Sequence, residues 1–391
     1  LELEMKMSKR FQAEIAGGGI CALTTAAALA QRGWKVRVHE RNGEIREAGA
    51  GIYIWGNGLR VLEAVGAREE ALRNANRGMA SELRDCNNKV IPRVPVQGEG
   101  AVEVFALPRQ QLLQALLHAA LAAGVEVVTG SEAVGATPDG RLLLQDGGSL
   151  AADVVVGADG VHSRVRDSLG LASQFELLSE GAIRVMVPRL PQDGDGRFVE
   201  HWNGTRRMLV TPCSPDQVYI ALTCLHNDTG AARVPVDKAI WTASFPHLAS
   251  LIDRIGSSAR WDRFSMVKLK RWSQGHVAVT GDAAHAMPPN LGQGGGTAMQ
   301  NGLSLAHELG AVASREDIPQ ALARWEERER ELTEHTQLWS MLYGVLTSWP
   351  DELRTAAMGF ASSHPWLSAQ RLRTARSHPT GASPLATEGA A

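Results

Sequence analysis

Residues 13–22 read Ala-Glu-Ile-Ala-Gly-Gly-Gly-Ile-Cys-Ala, and no other stretch limits the fold as strongly. A short apolar strand over 13–16 runs into a glycine turn, and an Ala/Leu-rich helix follows over 20–31. Gly33 stops that helix and a second strand spans 35–40. This order is the opening βαβ unit of a doubly wound, mostly parallel sheet. Within the turn, Gly17 permits the bend, Gly19 lets the backbone approach a pyrophosphate, and Ala22 lets helix and strand pack closely. The helix N-terminus offers free N–H groups and partial positive charge to phosphates. Glu40, at the end of the second strand, is placed to accept from both hydroxyls of an adenosine ribose. A plain strand-to-helix connection would use the same glycines, so the dinucleotide reading needs support from elsewhere in the chain.

More of the same sheet is expected at 125–129, after a helix over 109–123, at 153–157, whose Val run suits a strand buried on both faces, and at 276–280. Helical periodicity resumes over 294–309 and 318–343. Between them, roughly 183–270, lies a different texture. Strand-like alternation at 183–187, 207–211 and 218–223 is broken by Pro and Gly turns, which predicts an inserted, mostly antiparallel sheet. An earlier piece, 81–94 leading to Phe105, is expected to cross into it. The division is then a discontinuous α/β domain of 11–80, 102–180 and 271–345, a second domain of 81–101 and 181–270, and a C-terminal helical segment of 346–376. A tail of 377–391, rich in Ala, Gly, Ser, Thr and Pro, is expected to be disordered. Residues 1–7 are set aside as a frayed start, and no internal repeat is visible.

Composition limits the partners. Lys plus Arg number 40 against 42 for Asp plus Glu, so no broad positive excess exists to neutralise nucleic acid or an anionic membrane, and neither is an expected partner. Cys21, Cys86, Cys213 and Cys224 are scattered, without a CxxC pair or a nearby His. They read as reduced thiols of a cytoplasmic protein with no metal site. No apolar run approaches the ~20 residues that cross a bilayer.

Two further loops share the character of the first. Gly157-Ala158-Asp159-Gly160, followed by Ser163 and Arg166, sits at a strand end; its plainer explanation is that Asp159 caps a helix beginning near Val161. Gly281-Asp282-Ala283-Ala284-His285, then Pro288-Pro289 and Gly292-Gln293-Gly294, again joins a strand to a helix. Small residues there would let a flat ring lie against backbone, and Asp282 could bond a polyol chain. The following helix aims its positive end at a ring that becomes anionic. Turn shaping by Pro and Gly is the plainer account.

Taken together, the three loops resemble the class A flavoprotein monooxygenases, the group typified by para-hydroxybenzoate hydroxylase, over residues 13–343. The resemblance implies tightly bound FAD, reduction by NADH or NADPH, and insertion of one atom of O₂ into a small hydroxylated aromatic acid. It assigns Gly17, Gly19 and Ala22 to the pyrophosphate, Glu40 to the ribose with Arg41 beside it, Asp159 to FAD and NAD(P)H, and Asp282 to the ribityl chain. Ala50, Gly51 and Arg109 would also contact the cofactor. Pro289 and Gly295 would line the ring, and backbone N–H groups at Gly292 and Gly294 would stabilise its negative charge. The run Gly49-Ala-Gly-Ile-Tyr-Ile-Trp55 resembles a subgroup that hydroxylates and opens hydroxypyridine carboxylates, which makes a 3-hydroxypyridine carboxylate the expected substrate. On that basis Arg184, Arg207 and Tyr219 face the substrate, an Arg fork holding its carboxylate. Solvated strand-face charges are the plainer account of Arg184, Arg206 and Arg207. The pattern departs from many relatives at Gly296 and Asn301, where Asn and Asp are usual, and at Ser81, where the subgroup has a Tyr. His285 is expected to brace the third loop rather than move protons. Dimerisation is implied only by the resemblance. The alternatives are another flavoprotein of this fold or a nicotinamide-dependent dehydrogenase. Among the former, a halogenase lacks support, because Trp202, Trp241 and Trp261 form no WxWxIP pattern.

Overall fold

The computed structural model describes residues 11–46, 50–79, 81–91, 102–193 and 196–382. Gly49 and residues 92–94, which entered the expectations above, lie outside that set, as do 1–10 and 383–391.

Strand Gln12–Ala16 is central in a six-stranded sheet. It pairs in parallel with Lys35–Glu40 on one side and Val154–Gly157 on the other, and Glu126–Thr129 and Val277–Val279 extend the parallel order outward. A two-residue strand, Ser273–Gln274, adds an antiparallel edge. All four residues of Val154–Gly157 are buried, as a strand covered on both faces requires. Helix Ile20–Ala30 has no polar face because it has no wet one: Ile20 through Leu29 are all buried. It lies between helices Arg109–Ala122 and Gly294–Gly310. Gly302 of the latter faces Thr25 so closely that a Cβ there would collide with its hydroxyl.

A seven-stranded sheet supplies the second layer, in the order Trp261–Leu269, Ala172–Pro188, Gln217–Leu225, Arg206–Pro212, Phe198–Asn203, Ser81–Arg84, Val90–Ile91. Every pairing in it is antiparallel except that of Phe198–Asn203 with Ser81–Arg84. The period of two divides its central strands cleanly. Val218, Ile220, Leu222 and Cys224, with Met208, Val210, Ile183 and Val185, enter a core shared with Trp241, Phe245 and Ile252. Tyr219, Ala221, Thr223, Arg207, Leu209, Ala182 and Arg184 point to the opposite side and line a cavity.

Several expectations needed correction. The strand foreseen at 183–187 is the end of one that starts at Ala172, bent where its register with Trp261–Leu269 shifts. Residues 238–252 contribute helices Lys238–Ser244 and Ala249–Ile252, which cover the far side of the sheet. Val104–Pro108, the strand carrying Phe105, pairs instead with Gly51–Trp55 and Asn76–Arg77 in a separate three-stranded sheet. The chain from Ser377 to Ala382 is not disordered: Ser377 Oγ donates to Gln300 Oε1 at 2.9 Å, and Ala382 packs against the main core. Sequence composition misread it because these contacts are with residues far away in the chain.

Candidate active site

A cavity of about 1140 Å³ opens between the carboxyl ends of the parallel strands and the inner face of the seven-stranded sheet, where open α/β sheets place ligands. Of the residues the sequence singled out for a site, all but Ala22 line it. Ala22 is fully buried, on the packed side of its helix.

The first two loops interlock. Gly17 has φ +98°, and a Cβ on it would strike the backbone of Ala158 in the second loop. Only glycine satisfies both conditions. A Cβ on Gly19, by contrast, would meet nothing within 4 Å, so the backbone there is bare toward the cavity. Glu40 orders the turn: its Oε2 accepts from Gly18 N at 2.9 Å and its Oε1 from Asn42 N at 2.9 Å. Helix Ile20–Ala30 has no side-chain cap, and its N-cap Gly19 lines the cavity. Arg109 N donates to Ala50 O at 2.8 Å, which brings two more of the expected cofactor residues together.

In the second loop Asp159 does cap, but the helix is Arg164–Ser168 and begins later than expected, with Ser163 as its N-cap. Asp159 Oδ2 accepts from Arg164 N at 2.8 Å and Val165 N at 3.2 Å. Its Oδ1 is buried with no partner, and burial raises the carboxyl above its usual range. Arg166 Nη1 donates to Val161 O and to Ala283 O, tying this loop to the third.

The third loop turns at Gly281, φ +64°, and again at left-handed Gly292, φ +62°. Trp55 Nε1 donates to Gly292 O at 3.0 Å. Asp282 is exposed within the cavity, and helix Gly294–Gly310 starts without a side-chain cap. His285 is sealed beneath the loop, where burial pushes its imidazole down to about 4. The side-chain amide of Asn301 lies 2.9 Å from His285 Nε2 and 3.1 Å from Thr333 Oγ1. The imidazole ring lies outside the cavity lining, packed against Trp272 with ring centres 5.4 Å apart. Both departures in the helix are thereby explained. Asn301 is the buried partner of His285 and Thr333, and Gly296 leaves room for the amide of Asn57, whose Oδ1 would stand 3.1 Å from a Cβ.

On the opposite wall aromatic and apolar side chains stand among charged ones. Tyr219 is packed across Gly51, where a Cβ would come within 2.6 Å of its own Cβ. Tyr53 and Phe198 pack with ring centres 5.0 Å apart and planes tilted by 56°, and the Tyr53 hydroxyl bonds Thr211. Burial raises the Tyr219 phenol, which the Arg184 and Arg109 charges partly offset. Arg184 Nη2 stands 3.7 Å from Asp262. Arg207 is engaged within the protein: Nη2 donates to Glu180 and Asn290, and Nη1 to Glu200, which leaves only a buried Nε without a partner. Neither paired edge of the fork is open to a substrate carboxylate.

The sequence pattern gave Tyr53 and Trp55 no task, although their alternation along Gly51–Trp55 marks one face of a strand. It gave none to Phe198, Leu209 or Tyr343, nor to Arg371, Leu372 and Arg376 on the last helices, all of which line the cavity. The C-terminal residues carry no local signal. They reach the site because Gln293 Nε2 holds Arg371 O at 2.9 Å and Gly56 lies against Ala375 O. Among the described residues no group of His, Cys, Asp and Glu could hold a metal, and no helix is long and apolar enough to cross a membrane.

These features fit FAD: a bare-backbone turn under a helix N-terminus, a ribose-facing carboxylate, an unpartnered Asp159 oxygen, an exposed Asp282, and a flat glycine-lined shelf over Gly292–Gly295. A model of the FAD binding domain family matches residues 10–338. The chain belongs to that family and is an FAD-dependent aromatic monooxygenase of the class A fold. It is 43% identical over 373 residues to a putative 2-heptyl-3-hydroxy-4(1H)-quinolone synthase, AqdB1, of Rhodococcus erythropolis, spanning 94% of this chain and 97% of that one. It is also 43% identical over 353 residues to the 2-heptyl-3-hydroxy-4(1H)-quinolone synthase of Mycobacteroides abscessus, with 89% and 93% covered. A solved tetrameric form of 2-methyl-3-hydroxypyridine-5-carboxylic acid oxygenase superposes with TM-score 0.84 at 38% identity, covering 95% of this chain and 98% of that one.

Proposed function

We propose that this monooxygenase uses NAD(P)H and O₂ to hydroxylate a nitrogen heteroaromatic ring of the 4(1H)-quinolone type carrying an apolar substituent. The observation that carries this is the state of Arg207. The Arg207 guanidinium, one candidate to hold a carboxylate substrate, is bonded to Glu180 and Glu200, and Tyr53, Phe198, Leu209, Tyr219 and Ala221 give the wall beside it an aromatic and apolar stretch. Such a wall favours a flat, uncharged ring. The relatives at 43% identity, named as quinolone synthases, support the same choice.

In the overall reaction a ring C–H becomes C–OH, the second oxygen atom leaves as water, and NAD(P)H is oxidised to NAD(P)⁺. Bound FAD supplies the redox chemistry, accepting reducing equivalents from the nicotinamide and activating O₂. Gly17, Gly19 and Glu40 would hold its adenosine diphosphate half, Asp282 its ribityl chain, and the Pro289–Gly295 shelf its ring. Tyr219, a phenol that is protonated at neutral pH, would donate to the ring oxygen of the substrate. The sheet and the C-terminal helices would exclude water.

A 3-hydroxypyridine carboxylate is the second reading. Arg184 favours it, since its 3.7 Å separation from Asp262 is too long for a hydrogen bond. The two are separated by NAD(P)H consumption in the presence of 2-alkyl-4(1H)-quinolones or of hydroxypyridine carboxylates, with ¹⁸O₂ label sought in the product. Stimulation by quinolones and label in a 3-hydroxyquinolone are expected. Stimulation by carboxylates alone would reverse the choice. Self-association belongs to the same proposal, because Leu338, Leu342 and Val345 are exposed on one face of helix Ile318–Val345. Light scattering of the purified protein checks it.

A further inference from the structure

The ion cluster around Arg207 takes no part in the reaction as derived above, yet it is densely bonded within the cavity wall. Arg207 is 3% exposed. Its Nη2 lies 2.8 Å from Glu180 Oε1 and 2.7 Å from Asn290 Oδ1, and its Nη1 lies 3.2 Å from Glu200 Oε1. The guanidinium carbon stands 4.8 Å from the ring centre of Trp202 and 5.9 Å from that of Tyr343, within cation–π range. Thr347 bonds Glu180 and Tyr343 bonds Glu200. The charges thus come from three strands of the seven-stranded sheet and are held in place by the C-terminal helical region. Helix Ile318–Val345 passes so close that a Cβ on Gly344 would meet Asn290 Nδ2 at 2.6 Å.

The member that does not belong to the sheet is Asn290. Its amide is occupied at both ends: Oδ1 accepts from Arg207, and Nδ2 donates to Ser340 O at 3.0 Å. Asn290 follows Pro289 in the turn Pro289–Leu291, which ends in left-handed Gly292 and lines the cavity. A charge-assisted bond to a buried side-chain amide fixes position more firmly than an exposed contact does. The location of this turn is therefore set from the far sheet.

We propose that Arg207 is a positioning residue that, with Glu180 and Glu200, clamps Asn290 and so fixes the Pro289–Leu291 turn against the cavity face that receives the FAD ring. This rests on the flavoprotein assignment and is independent of which aromatic ring is the substrate. Arg207→Lys keeps the charge and loses the fork; Asn290→Ala leaves all three charges together and cuts the link to the turn. Both are compared with wild-type holoenzyme for the visible absorption and fluorescence of bound FAD without substrate, for KM of the aromatic substrate, and for product formed per NAD(P)H consumed.

Both variants should shift the flavin spectrum in the same direction and lower product per NAD(P)H by about threefold or more, with KM within about twofold of wild type. The double variant should be no worse than the poorer single one, because the residues act as a unit. A KM raised about tenfold with an unaltered spectrum would make Arg207 a substrate anchor, through its Nε, and overturn the proposal. Unchanged spectra in both variants would overturn it as well. Should Arg207→Lys fail to fold, Asn290→Ala decides alone. If no aromatic compound stimulates the wild type, the substrate proposal fails, while the spectra still judge this one.

Discussion

The two walls of the cavity are built by opposite means. The dinucleotide wall is backbone. Gly17, Gly19 and the N-terminus of helix Ile20–Ala30 belong to one continuous stretch, and Glu40 is delivered by the next strand. The facing wall is side chain. Tyr219, Arg184, Arg207 and Leu209 come from three strands, Tyr53 from another sheet, and Leu372 from the last helices. A wall made of backbone tolerates little change because its shape depends on glycine conformations. A wall made of side chains on rigid strands can change its lining while the scaffold stays.

If that contrast holds, the largest effect should come from the backbone side. Gly17→Val places a branched side chain at φ +98° against the backbone of Ala158, a cost of several kcal/mol, on the order of 3 or more. The purified variant is expected to be colourless or insoluble, and retention of stoichiometric yellow FAD would break the comparison. Next is acid stability. His285 is buried neutral with its imidazole lowered to about 4, so the unfolded chain binds a proton that the folded one refuses. Its stability contribution is complete above the unfolded value near 6.5 and is lost as pH falls toward 4, at about 1.4 kcal/mol per pH unit. Tm should drop over that window, and His285→Gln should flatten the drop; an equal drop in the variant would remove His285 as its source.

The facing wall should respond more mildly. Tyr219→Phe removes one hydrogen bond to the substrate, about 1.4 kcal/mol, so kcat/KM should fall about tenfold while FAD content is unchanged. Loss of FAD instead would mean that Tyr219 supports the cofactor through Gly51. The smallest effect belongs to Leu372→Ala. Relative kcat/KM for long against short 2-alkyl-4(1H)-quinolones should rise by a few-fold, on the order of 1 kcal/mol. An unaltered ratio would take the C-terminal helices out of specificity.

Much of the first wall is legible in the amino-acid sequence. Glycine spacing, the strand order and the cap at Asp159 follow from rules that act within a few residues, and the helix starting at Gly294 matches its expected beginning. The alternation that turns Arg184, Arg207 and Tyr219 to one side is legible too, because a strand has a period of two. Their partners are not. Nothing near Arg207 in the chain announces Glu180, Asn290 or Tyr343. Nothing in the composition of 377–382 announces Gln300 or the core that Ala382 joins.

The sequence by itself determined the doubly wound half and the glycine turn, because those depend on local backbone freedom and on hydrophobic period, while the chemistry class came with the resemblance of its three loops to a known family. Only the tertiary structure decided that Arg207 is paired with Glu180 and Glu200, that Asn301 meets His285, and that the last helices complete the cavity. Charge pairing and burial are settled by which distant segments meet in space, and a side chain's availability is a property of its neighbours rather than of its own position in the chain.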